Sequence, residues 1–340
     1  MSGESGKAIE REDGRADGAR IRLDWLDALK GIGIIAVVAG HVWTRGPVRD
    51  AIYAVHMPLF FMISGYTARA VPWRVLLPAL VRGLLVPFLC FSALLLAADF
   101  LIEGLRGVRP IFPGWLAGAR TILLATDQTR GPFTILWFIP ALLLARLAWN
   151  AIMAGGRRPA GWPVLLAMAA VFALALVVAR GGIRSPFGAV AVPGALLMIW
   201  AGALWRQWGD PSRPLALLLA ALAMLTLAAF PPLNMKQGDI GWPVLSLAGA
   251  GAVTVTLAAL ARRFPPALMR MAVALGRASL TIMYVHVAMI HYLTPYAPKL
   301  LLFAGALGAS WGLDCLIRSA RWTRRLLLGE VKLPVKSLDS

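Results

Sequence analysis

The chain has 340 residues, of which 59% are hydrophobic and only 15% charged, against about 25% charged in soluble domains. Accessible surface grows almost as fast as chain length, so a soluble domain of this size has nowhere to hide so much apolar side chain; lipid is the solvent that fits. The net charge of +18 is spread between hydrophobic runs and not gathered on one polar segment, which excludes a nucleic-acid-binding face.

The first 28 residues are polar, with Lys7, Arg11, Arg15, Arg20 and Arg22 among Glu and Asp. They lack the short apolar core and cleavage site of a secretory signal, so the first hydrophobic segment is expected to stay as an anchor. A spanning helix needs about 20 mostly apolar residues. Candidates fall at 26–44, 51–70, 82–102, 133–153, 162–179, 187–205, 214–230, 240–261, 275–293 and 299–317, separated by Pro, Gly and Arg. The stretch 111–126 reads as an additional helix lying along the interface. With the N-terminus inside, the cytoplasmic segments hold about twice as many Lys and Arg as the opposite connections, the bias that membrane insertion produces. The expectation is an all-α membrane protein, a bundle of about ten transmembrane helices with both termini cytoplasmic. It divides into a polar segment 1–24, a membrane domain 25–318 and a basic tail 319–340. No internal repeat is visible, which weakens an inverted-repeat transporter. Cys90 and Cys315 sit in apolar stretches and read as small core residues. No zinc-ligand spacing or phosphate-binding Gly-rich loop is present, so no metal is expected.

The segment Asp27-Ala-Leu-Lys30-Gly-Ile-Gly-Ile-Ile-Ala-Val-Val-Ala-Gly-His41 concentrates the chemistry. An ionisable residue inside a spanning helix costs about 2.5–3.5 kcal/mol on insertion scales and so marks an interior cavity. Lys30 and His41 are eleven residues apart, about three turns plus 20°, so both project from one face, separated by about 16 Å of rise. Asp27 precedes Lys30 by one turn and can pair with it. Gly31, Gly33 and Gly40 leave room for a neighbouring helix or a threaded ligand. The bland alternative is a snorkelling Lys30 and a His41 that makes one interhelical hydrogen bond.

The next helix reads Val55-His56-Met57-Pro58-Leu59-Phe60-Phe61-Met62-Ile63-Ser64-Gly65-Tyr66. Pro58 starts or bends it. His56 lies near its outer end, where it either converges with His41 or serves as a satisfied packing histidine. Ser64-Gly65 suits close helix packing better than nucleophilic catalysis, because no acid–base partner is adjacent.

Lys30-x10-His41 followed by His56-Met-Pro-Leu-Phe-Phe-Met-Ile-Ser64-Gly65-Tyr66 resembles the acyltransferase-3 family of integral membrane acyltransferases, in particular its branch related to fucose 4-O-acetylases. The family's first motif begins with Arg more often than Lys; the charge is kept and the two-pronged donor is lost. Arg82-Gly-Leu-Leu-Val-Pro87-Phe, Leu136-Trp137-Phe138 and Leu275-Gly276-Arg277-Ala-Ser279-Leu before Tyr284-Val-His286 extend the resemblance over residues 24 to 290.

The resemblance implies transfer of an acetyl or similar acyl group from cytoplasmic acetyl-CoA to a hydroxyl of an envelope or extracellular carbohydrate, or of a lipid-linked glycan, at the bacterial plasma (inner) membrane. His41 is then the expected catalytic centre with His56 second, since imidazole can act as base or nucleophile near neutral pH. Asp27 holds Lys30, and Lys30 meets CoA phosphates or developing negative charge. Arg74, Arg82 and Arg277 are expected to receive the polyanionic CoA, or are ordinary positive-inside residues; Trp137 stacks on a flat group or sits at the interface. Ser279 and His286 share a helix face and read as core hydrogen-bonding residues, and His291 as a loop or interface residue. Some family members carry a soluble hydrolase-like domain for which this chain has no room, so a separate partner is an alternative route to complete the transfer. The rival reading is a transporter or flippase for a sugar or lipid-linked intermediate, because intramembrane Asp, Lys and His also suit a proton relay. A structural or sensory membrane protein leaves the polar stripe without a purpose.

Overall fold

The computed structural model describes residues 24–181 and 185–330; nearly all of the predicted segment 1–24 and the last ten residues of the tail lie outside them. The architecture is all-helical, 78% helix with no strands among the described residues. In chain order the helices are α1 (Asp24–Val42), α2 (Pro47–Tyr53), α3 (His56–Thr67), α4 (Trp73–Leu80), α5 (Val86–Leu105), α6 (Trp115–Leu124), α7 (Phe138–Ile152), α8 (Trp162–Ala179), α9 (Val192–Trp208), α10 (Arg213–Ala229), α11 (Pro243–Ala261), α12 (Pro266–Arg277), α13 (Ser279–Leu293), α14 (Lys299–Ser319) and α15 (Arg321–Leu327).

Seven spans are long and apolar enough to cross a membrane, and α12 with α13, bent by 75°, makes an eighth if counted as one. The ten predicted segments all fall on helix, but not all as straight rods. The predicted span 51–70 is broken: Pro47 starts α2, the chain turns at Ala54–Val55, and α3 is only 12 residues long. The predicted span 82–102 is longer at its N-terminal side. It runs Trp73–Leu105 through a π-helical turn, Val81–Leu85, that follows Pro78 inside α4, as expected where a proline removes an intrahelical donor. The segment 214–230 forms the 17-residue α10. Proline in the first turn starts α8, α9, α10, α11 and α12, where its missing N–H costs nothing.

Contacts between connections sort them into two ends in alternating order along the chain. At one end, Arg277 meets Asp24 and Asp27, Asn150 exchanges two hydrogen bonds with the Val71 backbone, Arg206 donates to the Ala68 carbonyl, and Arg262 pairs with Asp210. This is the basic end. At the opposite end the Leu233 N–H donates to the Tyr53 carbonyl, Lys236 donates to Thr134 Oγ1, and the segment Pro186–Ala191 packs on Met235–Gln237. Outward faces carry exposed Leu165, Leu166, Leu217, Leu218 and Met224, the exposure lipid accommodates.

Two pairs of glycines set how closely the central helices approach. A Cβ on Gly65 of α3 would strike the Ile199 carbonyl of α9, and one on Gly202 of α9 would strike the Met62 carbonyl of α3. Gly31 of α1 lies against the Ala272 carbonyl of α12, and Gly276 of α12 against the Asp27 carbonyl of α1. The glycines beside the polar stripe therefore admit neighbouring helices: Gly33 faces Leu59 and Phe60, and Gly40 faces Ile52 and Tyr53. Small residues permit this backbone proximity, which stabilises helix pairs where no water can drive association.

Candidate functional site

One face of α1 carries Lys30, Ile34, Val37 and His41, spaced by four, three and four residues. The first three line a cavity of about 230 Å³ near the basic end. His41 lines a second cavity of about 260 Å³ towards the opposite end. Met57 of α3 and Ile135, just before α7, line both. The helical repeat that aligned Lys30 with His41 thus becomes two chambers in series, divided by a methionine and an isoleucine.

The basic-end cavity is walled by Ile34, Val37, Phe60, Phe138, Leu142 and Met283, with Lys30, Ser64, Thr67 and Ser279 as its polar members. Lys30 Nζ pairs with Asp27 Oδ1 at 2.9 Å. The second oxygen of Asp27 lies 3.5 Å from Arg277 Nε, and Arg277 also reaches Asp24 at 3.4 Å. These pairs are partly open to solvent, where each contributes about 1 kcal/mol at most. Their value is positional, holding the lysine at the mouth of the cavity. Arg74 and Arg82 are exposed at this end and line neither cavity.

The second chamber is the more polar of the two, although Met57, Ile135, Leu233 and Met235 also line it. His41, Tyr53, His56, Thr134, Trp137, Asn234, Lys236 and Gln237 line it. The Tyr53 ring bridges the two histidines, 6.3 Å from His41 and 4.7 Å from His56 between centroids, and the Arg49 guanidinium lies over the tyrosine ring, 4.0 Å from its centroid. His56 Nδ1–H donates to the Ile52 carbonyl at 2.9 Å. A carbonyl only accepts, so the neutral ring carries its lone pair on Nε2. His286 of α13 repeats the device, donating from Nδ1 to the Ile282 carbonyl at 2.7 Å. Its ring sits 5.2 Å from that of His41, and its Nε2 is buried without a partner. Lys236 comes from the connection between α10 and α11. It donates to Thr134 Oγ1 and to the Thr129 carbonyl, and burial pushes its ammonium down to about 8 against the opposing pull of Asp127.

The structure gathers His41, His56 and Trp137 in the second chamber and holds Asp27 and Lys30 at the mouth of the first. Trp137, grouped from sequence with Arg74, Arg82 and Arg277 as a donor-binding residue, is separated from them: it lies with the histidines, and the three arginines stand at the basic end. Ser279 and His286 do share a face of α13, but Ser279 lines the first chamber whereas His286 lines neither and packs on His41. Sequence reasoning missed Tyr53, Asn234, Lys236 and Gln237. None lies on a helix with a readable polar stripe, and Lys236 sits in a connection whose partner in space is more than a hundred positions away. His291 stands 3.6 Å from Glu103, near a separate polar knot in which Asp99 accepts from Tyr292 and the Ile111 N–H. Among the described residues no group of three or more His, Cys, Asp or Glu is arranged to hold a metal.

The family model for the acyltransferase-3 group, described as an acyltransferase domain, matches residues 23–315. No curated protein and no solved structure matches the chain. The matched span contains both chambers and every helix from α1 to nearly the end of α14, so the chain belongs to the acyltransferase-3 family.

Proposed function

We propose that this membrane acyltransferase moves an acetyl group from cytoplasmic acetyl-CoA to a hydroxyl of an envelope or extracellular carbohydrate at the bacterial inner membrane. The observation that carries this reading is the pair of chambers strung along one stripe of α1, an apolar one behind a lysine and a polar one around histidines.

In this reading the acyl-pantetheine arm enters from the basic end and lies in the apolar chamber, with Lys30 and the exposed Arg74, Arg82 and Arg277 near the anionic remainder. Apolar walls that exclude water protect a thioester from hydrolysis. The acceptor hydroxyl enters the polar chamber from the other end. The lone pair on a histidine Nε2 takes the hydroxyl proton as its oxygen attacks the thioester carbonyl carbon. The carbon–sulfur bond breaks, the ester forms, and the CoA thiolate recovers a proton from the imidazolium. His41 is the first candidate for that base because it stands where the α1 stripe meets the polar chamber. His56, its Nδ1 already committed to a carbonyl, is the second. Completion of the transfer by a separate partner protein is compatible with this scheme.

The test is transfer of radiolabelled acetyl from acetyl-CoA to carbohydrate in proteoliposomes. His41→Ala is expected to abolish labelled product while the protein inserts and accumulates normally, and normal product from that variant would exclude His41 as the base. The same chambers in series also suit a pathway for a sugar or lipid-linked intermediate. Movement of such a molecule across the vesicle without consumption of acetyl-CoA would replace the transferase reading with a transporter.

A further inference from the structure

Arg146 of α7 has no place in the scheme above, and its surroundings are unusual. It lies within a span read as membrane-crossing, where an arginine costs about 2.5–3.5 kcal/mol on insertion scales. Its one side-chain hydrogen bond among the described residues is to Ser64 Oγ, at 3.2 Å. No carboxylate lies within ion-pair range of it there. Lys30 and Arg277, by contrast, are both held by Asp27. Five N–H donors with one neutral acceptor leave most of the guanidinium fork free.

Its place on α7 is as telling as its pairing. Ile135, Ile139 and Leu142 line the basic-end cavity, and Arg146 continues that row one turn further towards the basic end. Ser64, which accepts its hydrogen bond, lines the same cavity from α3. Arg146 does not itself line the cavity; its hydrogen bond to Ser64 sets the guanidinium directly behind a lining residue at the basic end. Arg146 stands one turn, about 6 Å of rise, beyond the lining Leu142, on the side of the cavity away from the Ile135 partition.

We infer that Arg146 is a phosphate-binding residue for the acyl donor, gripping the diphosphate of a coenzyme A thioester while Ser64 holds the guanidinium in place. The inference rests on the donor reading of the basic-end cavity. A planar fork that meets two phosphate oxygens at once is the donor geometry this task needs, and it supplies the two-pronged group that lysine at position 30 lacks.

The experiment measures binding of coenzyme A, and of pantetheine as the arm without diphosphate, to the purified full chain in nanodiscs of zwitterionic lipid. Arg146→Gln is expected to weaken coenzyme A about tenfold or more, the scale of one charge-assisted hydrogen bond, and to leave pantetheine unchanged. In the transfer assay it raises KM for acetyl-CoA and leaves kcat nearly intact. Arg146→Lys, which keeps the charge and is the variant to use should the glutamine form fail to accumulate, is expected to fall between the two. Unchanged coenzyme A affinity in both variants would overturn the assignment and leave the donor reading standing. Equal loss for coenzyme A and pantetheine would mark Arg146 as structural. If the effect is confined to added phosphatidylglycerol, the phosphate belongs to a lipid and the assignment fails. Absence of any coenzyme A binding by the unmodified protein would instead remove the donor reading on which it rests.

Discussion

The two chambers share a wall and little else. The basic-end chamber is mostly Ile, Val, Leu, Phe and Met with a cationic rim, whereas the chamber beyond Met57 and Ile135 adds imidazole, phenol, indole, amide, hydroxyl and ammonium groups to the apolar side chains of Leu233 and Met235. Apolar walls around a long neutral chain bind without reacting. A cluster of groups that can take, give and orient protons does the reverse. Under the proposed function the contrast is a division of labour along one helix face, position 30 serving recognition and position 41 chemistry, although both are cationic or basic residues on a single stripe of α1.

The sharpest way to break that division is to remove a group from the chemical side. His56→Ala is expected to lower kcat by about 10²-fold or more, the usual worth of a positioned acid or base, with KM for acetyl-CoA little changed. A smaller fall confined to KM for the carbohydrate would move His56 from proton transfer to acceptor binding. Closing the partition comes next. Met57→Trp places a rigid indole between the chambers and is expected to cost about 10²-fold in transfer, because misplacement of reacting atoms by an ångström has that effect. Coenzyme A binding should survive within severalfold. Loss of both together would mean the chambers are not functionally separate.

On the recognition side the effects shrink. Lys30→Ala is expected to raise KM for acetyl-CoA by about tenfold, the scale of one charged hydrogen bond. Lys30→Arg should stay within severalfold of the unmodified chain, since it keeps the charge and the Asp27 partner. A loss of kcat in Lys30→Ala equal to that of His41→Ala would erase the proposed distinction between the two ends of the stripe.

What the sequence disclosed follows from periodicity. Lys30, Ile34, Val37 and His41 are legible as one face because helix geometry is local, and the same arithmetic places Ser279 and His286 on one side of α13. The family motifs around Lys30, His41, His56 and Ser64 are short and contiguous, so the resemblance was legible for the same reason. Three things were not. The second predicted span breaks into α2 and α3 because Pro47 and the turn at Ala54–Val55 override its hydropathy. The assignment of Trp137 to the histidine chamber depends on how the segment before α7 meets the α10–α11 connection, a pairing between distant positions. Arg146 reads in sequence as one charge in an apolar run, and only the fold aligns it with Ser64 and the cavity-lining row of α7.

The smallest effect concerns the chamber's one ammonium group. Lys236 is pushed down to about 8 by burial, against the opposing Asp127 carboxylate, while in the unfolded chain it returns to the ordinary lysine value near 10.5. A lowered folded-state value means the folded protein disfavours the proton. Below pH 8 both states hold it and the penalty of burying the charge is felt in full. Between about 8 and 10.5 the folded state releases the proton while the unfolded state keeps it, so stability must rise with pH across that window. Lys236→Met has no proton to release at this position and should lack that increment. The measurement is the unfolding midpoint of the two proteins in the same detergent, taken stepwise from pH 7 to 10. The unmodified protein should gain on the methionine variant as the pH climbs. Parallel curves would mean that the ammonium is already well compensated by the Thr129 carbonyl, Thr134 and Asp127. The polar chamber would then hold its charge as comfortably as the basic end holds Lys30, and the electrostatic half of the contrast between the chambers would be lost.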